Sequence, residues 1–337
     1  MEQTNKIFKV LVIRFSSIGD IVLTTPILRN IKKTYPKTEL HFICKKEFQN
    51  VIEQNPNIDK CWFLNENLNE IIAELKKEQF SCIIDLHKNI RSFKIKKELS
   101  VPTYTFKKLN YKKWLLTTFK YNTLPKIHLV DRYFEAIKKL QVPNDGFGLD
   151  FFINETEKQK ALSKLAFQPN SFICFVLGTA HETKSPPISL LKKIISEQTR
   201  SIVLLGGKNE IDKASQLMNQ SEQENIQNLV GKLSIQGSAA IIKESSLVIT
   251  PDTGLMHIAA ALNKNIISIW GNTVPEFGMY PYYGNNRPEK ANYKISEVKD
   301  LKCRPCSKIG YSTCPKKHFN CMNMQSSEQI CKWIKEN

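Results

Sequence analysis

The first stretch that could do chemistry is RFSSIGDIVLTTP (residues 14–26), which places a single carboxylate, Asp20, at a strand-to-helix turn. Ser16, Ser17 and Gly19 shape that turn. One interpretation makes Asp20 a helix-capping residue, because acidic side chains are favourable in the first turn of a helix. The other makes Asp20 a general base that faces a substrate. The local sequence leaves both interpretations open.

A second candidate stretch, ITPDTGLMHIAAAL, begins at residue 249 and predicts a strand, a turn and a helix made of small residues. Asp252, Thr253, Gly254 and Leu255 lie at the turn, and the first helical N–H groups there could hold a phosphate. His257 on the first turn could donate to a phosphate oxygen or a leaving group. A plain strand–turn–helix capped by Asp252 or Thr253 fits the same residues.

Two further strand ends carry polar residues. VLGTAHETKSPP contains Thr179 and Lys184, and a lysine there could supply a positive charge to a diphosphate. LLGGKNE contains Gly206, Gly207 and Glu210, whose carboxylate could bind a ribose or a base. Together with the turn near residue 252, they predict a nucleotide site. The chain has neither a GxGxxG nor a Walker A pattern, which argues against a nicotinamide enzyme and a P-loop NTPase.

Four cysteines cluster near the C-terminus, in the order Cys303-x2-Cys306-x7-Cys314-x6-Cys321, with His318 among them. Four thiols that begin with a CxxC pair are typical of a structural zinc site. A loop of reduced cysteines is the alternative. With four protein ligands, such a zinc ion would have no open position for chemistry.

The elements that must position these residues form two alternations of strand and helix. Apolar runs predict strands, which are listed in chain order: 10–15, 40–44, 60–64, 81–86, 102–106, 171–177, 201–205, 226–230, 247–250 and 266–270. QVPNDGFGLD (141–150) separates the two alternations and predicts a linker. We therefore expect two doubly wound α/β domains, 1–150 and 151–337, whose strand ends line a central cleft.

Composition indicates a globular protein with an anionic partner. The 337 residues are 41% hydrophobic and 24% charged, and 49 Lys and Arg against 32 Asp and Glu give a net charge of +17. No apolar run is long enough to cross a bilayer, and the N-terminal residues lack the pattern of a signal peptide, so we expect a cytoplasmic protein. The positive charge favours acidic substrates or the anionic inner-membrane surface, where we expect peripheral contact. Because the chain has no arginine-rich arm and no RNP-like strand pair, we expect no nucleic-acid partner.

RFSSIGDIVLTTP and DTGLMHIAAAL, together with GTAHETK and WGNTVPEFGMYPY, resemble glycosyltransferase family 9, the ADP-heptose:lipopolysaccharide heptosyltransferases. The resemblance covers nearly the whole chain. It implies a GT-B fold, with an acceptor-binding domain at 1–150 and a nucleotide-sugar-binding domain at 151–337. We also expect the terminal helix to pack back on the first domain.

The resemblance further implies inverting transfer of a heptose from a nucleotide sugar to a lipid A–core acceptor, with no metal in catalysis. The family's general base matches Asp20, and its diphosphate-binding lysine matches Lys184. The matching nucleotide contacts are Thr179, Glu210, Asp252, Thr253, Gly254, Leu255 and His257. This chain departs from the family pattern at Ala180, His181 and Met256, which affects the identity of the donor more than the reaction.

Three functions remain in competition at this stage. A related two-domain transferase could use another donor sugar or acceptor, and a sugar-nucleotide epimerase would interconvert nucleotide sugars without any acceptor. A basic nucleic-acid-binding protein with a C-terminal zinc module would instead show salt-sensitive binding to DNA or RNA. The heptosyltransferase interpretation predicts a preference for ADP-sugars over GDP- and UDP-sugars.

Overall fold

The two alternations of strand and helix form two separate sheets in the computed structural model, which describes residues 8–219, 225–287 and 291–337. The strands are β1 (Lys9–Ile13), β2 (Glu39–Lys45), β3 (Lys60–Leu64), β4 (Cys82–Asp85), β5 (Thr103–Thr105), β6 (Phe172–Val176), β7 (Ser201–Leu205), β8 (Ile226–Asn228), β9 (Leu247–Pro251), β10 (Ile266–Trp270) and β11 (Tyr293–Glu297). All ten predicted strands are present, within a few residues of their predicted ends.

The helices that connect these strands follow in chain order. They are α1 (Ile18–Val22), α2 (Thr25–Thr34), α3 (Gln49–Ile52), α4 (Leu68–Lys77), α5 (Ile90–Leu99), α6 (Asn110–Phe119), α7 (Leu129–Ala136), α8 (Glu155–Leu162), α9 (Ile188–Ser196), α10 (Ile211–Asn219), α11 (Ile235–Glu244), α12 (Gly254–Ala261), α13 (Asn320–Asn323) and α14 (Ser327–Lys335). Pro26 lies in the first turn of α2, where its missing N–H costs no hydrogen bond, so the apolar run after Asp20 divides into two helices.

Both sheets are parallel throughout the described residues. The first has the order β3-β2-β1-β4-β5, and Val10 in β1 lies opposite Leu40 on one side and Cys82 on the other. The second has the order β11-β10-β9-β6-β7-β8. Parallel strands are buried on both faces, which explains why β1 and β6 are continuous apolar runs. Their carboxyl ends carry the polar turns predicted from the sequence.

The chain divides into two compact units that are not two simple halves. The first unit contains residues up to Lys108, Ile127–Phe152 and Gly284–Arg287. The second contains Leu109–Lys126, Ile153–Tyr283 and the chain after Arg287. The main crossing, after Phe152, lies two residues beyond the predicted boundary at 150. The exchanged segments 109–126 and 284–287 are absent from the predicted division.

The segment predicted as a linker is part of the first unit. The guanidinium of Arg29 donates to Asp145 at 2.9 and 3.0 Å, to the carbonyl oxygen of Gly148 at 2.9 Å and to the carboxylate of Asp150. Burial and the bonds from Arg29 act in opposite directions on Asp145, and the net effect lowers the pKa of that carboxyl to about 2. The Pro- and Gly-rich composition therefore marks irregular backbone that side chains nevertheless hold in place.

The terminal helix takes part in the core of the second unit. Its buried face, formed by Ile330, Cys331 and Ile334, belongs to that core. The same core also contains Leu191 and Ile194 of α9. The packing of the terminal helix on the first domain stays a prediction.

Candidate active site

The carboxylate of Asp20 is fixed by the turn that carries it. Its Oδ2 accepts from the Ser17 hydroxyl at 3.0 Å and from the Ser17 backbone N–H at 3.3 Å. Ser17 is the N-cap of α1, so Asp20 provides the returning half of a capping box. Gly19 lies buried between these two residues. Capping is therefore one role of Asp20, and it holds the carboxylate in one orientation at the carboxyl end of β1.

Arg14 is the residue at this turn that sequence reasoning missed. Its Nη2 lies 2.6 Å from Oδ1 of Asp20, and its side chain is 9% exposed. The same guanidinium donates to the carbonyl oxygens of Ser16 and Leu86 and, at 3.2 Å, to the Tyr133 hydroxyl. Burial acts to lower the pKa of Arg14, but the charge and hydrogen bond of Asp20, together with Tyr133 and Asp85, outweigh it and the pKa is raised. The sequence signal that could have revealed Arg14 is its place at the end of the apolar run VLVIRF, which indicates a buried partner for the carboxylate.

The turn after β4 adds further charges to the neighbourhood of Asp20. His87 there is subject to burial and to the positive charges of Arg14 and Lys108, which lower its pKa to about 4. The pKa of Lys108 is also lowered, by burial and by Arg14, while Asp20 and Asp85 act in the opposite direction. At neutral pH the imidazole is therefore uncharged, and the carboxylate lies in a field dominated by cations. Such a field suits an anionic substrate.

Asp85, at the end of β4, organises this second turn and is itself fully buried. It accepts from the backbone N–H groups of His87 at 3.0 Å and Lys88 at 2.7 Å, and from the Ser92 hydroxyl at 2.9 Å. Its carboxylate also lies 2.8 Å from Nζ of Lys96. Because these donors surround its carboxylate, Asp85 has a structural role, which leaves Asp20 as the partly exposed carboxylate of the pair.

In the second unit, the turns that follow β6 and β9 meet through an ion pair. Nζ of Lys184 lies 2.6 Å from Oδ2 of Asp252, and both side chains are largely buried. The same oxygen accepts from the Thr273 hydroxyl at 2.9 Å, which joins the turn after β10 to the other two. The ion pair with Asp252 thus orients Lys184, and the negative charge of Asp252 is directed towards that lysine.

The start of α12 contains four of the predicted nucleotide contacts. Thr253 is the N-cap, but its side chain makes no capping hydrogen bond, and no acidic residue stands in the first turn. Gly254 and Leu255 are the first two residues of the helix, and His257 is buried one turn on. A helix start without a side-chain acceptor directs N–H dipoles outwards, which is the arrangement that binds phosphate.

The loop that carries Thr179 and Lys184 is held by its own contacts and by α10. The Thr179 hydroxyl donates to the carbonyl oxygen of His181 at 2.7 Å and accepts from the His181 N–H at 3.1 Å. Nζ of Lys213 donates to the carbonyl oxygens of Leu177 and Pro186 and to the Ser185 hydroxyl. Burial lowers the pKa of Lys213 to about 8. Sequence reasoning missed Lys213, which connects both ends of this loop to one helix.

Glu210 connects two of the glycine turns. Its Oε2 accepts from the Gly207 N–H at 2.7 Å, and its side chain packs on the α-carbon of Gly178. A Cβ at Gly178 would overlap that side chain, so any larger residue there would displace the carboxylate of Glu210. The carboxylate therefore lies at the ends of neighbouring strands β6 and β7, as expected of a ribose-binding group at a sheet edge.

The cysteine-rich segment supports the loop of Lys184. The carbonyl oxygen of Tyr311 accepts from the Thr183 N–H and hydroxyl, both at 3.1 Å, and the Tyr311 N–H donates to the Thr183 hydroxyl at 2.8 Å. Arg304 donates to the carbonyl oxygens of Gly271 at 2.7 Å and Thr273 at 3.0 Å. This segment therefore fixes the loop of Lys184 and the turn after β10.

The predicted zinc ligands surround one small space without forming a compact set. A cavity of about 10 Å³ is lined by Cys303, Cys306, Cys314, His318 and Cys321. Sγ of Cys303 lies 3.8 Å from Nε2 of His318. Within the described ranges, however, the one group of three metal-binding side chains with ligand atoms mutually within 4.8 Å is found elsewhere in the first unit. The donor set has the chemistry of a zinc site, but its atoms are more widely spaced, and zinc binding there stays a prediction.

That compact group consists of Glu39, His41 and Glu78, and lysines already occupy it. Nζ of Lys9 lies 3.2 Å from Glu39 and 2.7 Å from Glu78, and Lys60 also pairs with Glu78. The bonds from Lys60 and Lys9 lower the pKa of Glu78 to about 2. We interpret this cluster as an ion-pair network.

Comparison with known proteins identifies the family. The profile described as "Glycosyltransferase family 9 (heptosyltransferase)" matches residues 69–316. The chain belongs to this family. It is 27% identical to lipopolysaccharide heptosyltransferase 1 of Campylobacter coli, over 97% of this chain and 98% of that protein. As a member of family 9, it is a glycosyltransferase.

Solved structures of the family share the fold. The family 9 glycosyltransferase of Veillonella parvula is 21% identical, with a TM-score of 0.72 over 87% of each chain. The Escherichia coli heptosyltransferase WaaC, solved with ADP, is 18% identical, with a TM-score of 0.67 over 97% of this chain and 99% of that one. The prediction of a GT-B fold is confirmed.

Among the described helices, none has the combination of length and apolar composition that crossing a bilayer requires.

Proposed function

We propose that this family 9 glycosyltransferase transfers a heptose from ADP-heptose to an acceptor in the lipopolysaccharide inner core, with inversion at the anomeric carbon. The name of the Campylobacter coli relative supports the acceptor class, and the ADP in the WaaC structure supports the nucleotide. In this proposal the reaction takes place at the cytoplasmic face of the inner membrane and needs no metal in the chemical step.

The observation that carries the proposal is the fixed carboxylate of Asp20. An inverting transferase needs a base that removes the proton of the acceptor hydroxyl as the bond to the anomeric carbon forms. Arg14 and Ser17 hold Asp20 from one side, and its side chain is 19% exposed. One part of the carboxylate therefore remains accessible to an acceptor hydroxyl. Ser16, whose carbonyl oxygen accepts from Arg14, completes the acceptor-side turn.

The donor is assigned to the second unit. Lys184 and the N–H groups at Gly254 and Leu255 would compensate the negative charge that develops on the departing ADP as its bond to the anomeric carbon breaks. His257 and Thr253 lie on the same helix start, and Thr179 lies on the loop of Lys184. Glu210 is proposed to bind the ribose. Asp252 acts by orienting Lys184.

The acceptor is assigned to the first unit, where the cations around Asp20 suit a phosphorylated saccharide. Arg14 and Lys108 both act on the turn of His87. An anionic acceptor would replace part of the hydration of these groups and would be attracted over several ångströms.

Two alternatives share this architecture: a transferase with another donor sugar or acceptor, and a sugar-nucleotide epimerase. A thermal-shift panel of ADP-, GDP- and UDP-sugars separates the donors, since the proposal predicts stabilisation by ADP-sugars first. An acceptor-free incubation separates the epimerase, which would interconvert the nucleotide sugars, from the transferase, which would leave them intact.

Asp20→Asn tests the base directly. The amide keeps the shape of the side chain but cannot take a proton, so we expect the transfer rate to fall by about 10³-fold. ADP affinity should stay within about twofold, because Asp20 is not among the proposed donor contacts. Ser17→Ala is the matched variant: it removes one hydrogen bond to the carboxylate but keeps the base, and should reduce transfer by less than about tenfold. An Asp20→Asn enzyme with near-normal turnover would exclude the assignment.

A further inference from the structure

We infer that the exposed aromatic face of α6 is a docking surface for an anionic lipid membrane. The face is formed by Tyr111, Trp114 and Phe119, which we call the aromatic ridge. These side chains are 70%, 43% and 62% exposed, and Tyr121, just beyond the helix, is 65% exposed. Rings of this size are seldom left in water in such a group without a partner.

The ridge is an ordered surface. The rings of Tyr111 and Trp114 stack with centroids 5.9 Å apart, and Trp114 meets Phe119 edge-to-face at 5.2 Å. Leu116, on the opposite side of α6, packs with Val274 and Phe277 in a small core cluster. Leu116 is also the one residue of α6 that is fully buried. The helix therefore attaches by a narrow contact and presents its aromatic side outwards.

Lys120 fixes the end of the same helix. Its ammonium donates to the carbonyl oxygens of Pro305 at 2.7 Å and Cys303 at 3.2 Å. The ridge is thereby tied to the cysteine-rich segment, and the binding surface would be preorganised before it met a partner.

The charge of the segment that carries the aromatic ridge indicates which partner the ridge would bind. Residues 109–126 contain four lysines and no acidic residue. Lys120 is bonded to backbone carbonyls and Lys113 lies 5.3 Å from the centroid of the Phe277 ring, so Lys112 and Lys126 are the two that the proposal assigns to lipid phosphates. Trp and Tyr prefer the headgroup region of a bilayer, and lysines beside them extend to lipid phosphates while their alkyl chains lie along apolar surface. An anionic leaflet satisfies both the rings and the ammonium groups.

The other occupants match this surface less well. A second copy of the chain would bring the same lysines together across a two-fold axis, and their charges would repel. Single-stranded nucleic acid binds by stacking bases on open ring faces, whereas the rings of Tyr111 and Trp114 stack on each other. An anionic membrane is therefore the partner that the observations favour.

The experiment is vesicle co-sedimentation of the full chain, without donor or acceptor, so that its result is independent of the proposed transfer reaction. Phosphatidylcholine vesicles with and without phosphatidylglycerol are compared at low and high salt. We expect binding to the anionic vesicles alone, weakened by salt. The triple variant Tyr111→Ser, Trp114→Ser and Phe119→Ser should lose at least about tenfold in affinity while keeping its thermal unfolding temperature. Lys112→Gln with Lys126→Gln should weaken binding and reduce its dependence on salt.

A matched pair of phenylalanines provides the control. Phe119 and Phe93 are 62% and 63% exposed, but Phe93 lies on α5, outside the ridge. Phe119→Ser should weaken vesicle binding, and Phe93→Ser should leave it within about twofold. Equal loss from both variants would overturn the inference. So would unchanged binding by the triple variant, a dimer that the triple variant dissociates, or binding of the ridge to single-stranded RNA in place of vesicles.

Discussion

Helices α1 and α12 both begin at a turn that follows a strand. They differ in the side chains that form hydrogen bonds at the helix start. At α1, Asp20 accepts from the Ser17 N–H and hydroxyl and pairs with Arg14. At α12, Thr253 makes no side-chain cap, and the nearby carboxylate, Asp252, is directed to Lys184. One helix start fixes an anion that belongs to the protein, while the other leaves its N–H groups available to an anion from outside.

In the proposed function, this common backbone unit serves both sides of the transfer reaction. A carboxylate in the first turn of α1 is proposed as the base, and the start of α12, which has no acidic residue in its first turn, is proposed as the anion site. The following predictions test this difference in order of decreasing effect.

Arg14→Met should release the Asp20 carboxylate from its fixed orientation at the start of α1. Without its guanidinium, Asp20 loses the ion pair that orients its carboxylate, and we expect transfer to fall by about 100-fold with ADP affinity unchanged. Stability should fall by about 3 kcal/mol, because a largely buried charge loses its partner. Steady-state kinetics and urea unfolding measure these effects.

Arg14→Lys and a double-mutant cycle serve as controls for that variant. The lysine keeps the charge and should recover part of the transfer rate. In the Asp20→Asn background, Arg14→Met should cause little further loss of rate, because both residues then act through the same missing group. A further loss as large as in the wild type would show that Arg14 acts separately from Asp20.

Thr253→Asp should convert the open helix start into one that resembles α1. The new carboxylate can accept from the first-turn N–H groups, so helix stability should not decrease, but it would repel a diphosphate. We expect ADP affinity to fall by about 30-fold, which corresponds to about 2 kcal/mol. Calorimetric titration with ADP measures it, with Thr253→Ser as the conservative control. Unchanged affinity for ADP would mean that phosphate does not bind at this helix.

The free energy of unfolding should fall at acidic pH because of the positive charges around Asp20. Burial and the charges of Arg14 and Lys108 lower the pKa of His87 to about 4, below its ordinary value of 6.5. Between pH 6.5 and 4 the unfolded chain therefore binds the proton first, so this contribution is complete above pH 6.5 and is lost as pH falls. Allowing for partial exposure, we expect a loss of about 1–2 kcal/mol.

His87→Gln isolates that contribution. The glutamine does not titrate, so the difference in unfolding free energy between the wild type and this variant should change between pH 7 and pH 4.5. Denaturant unfolding at the two pH values measures it. A difference that stays constant would mean that His87 titrates near its ordinary pKa and that the field at α1 is weak.

The strands were predictable because burial on both faces of a parallel sheet leaves a continuous apolar run. The ranges 60–64, 201–205 and 266–270 coincide with β3, β7 and β10. The short strand β11 and helix α6 were missed. β11 is a partly buried edge strand, and α6 buries Leu116 alone among its ten residues, so neither has a clear apolar pattern.

Site residues were predictable where their chemistry depends on a turn that is local in sequence. Asp20, Lys184, Glu210 and the Asp252–His257 stretch are all found at the carboxyl ends of strands, although their roles stay predictions. Arg14 and Lys213 were missed because their partners, such as Leu86 and Pro186, are distant in the chain. Whether the 141–150 segment forms a linker or part of the first unit depended in the same way on a distant residue, Arg29.

The sequence by itself determined the two α/β alternations, the family and the positions of the polar turns, because burial periodicity and turn chemistry act over a few residues. Tertiary structure alone decided which charges meet. Arg14 reaches Asp20 across the end of β1, and Lys184 is paired with Asp252. It also decided that segment 109–126 belongs to the second unit and that α14 completes the core of its own unit. Even the short-range pair of Arg14 and Asp20 depends on the distant Leu86 and Tyr133, which also bind the guanidinium, and only the combined packing selects one set of partners.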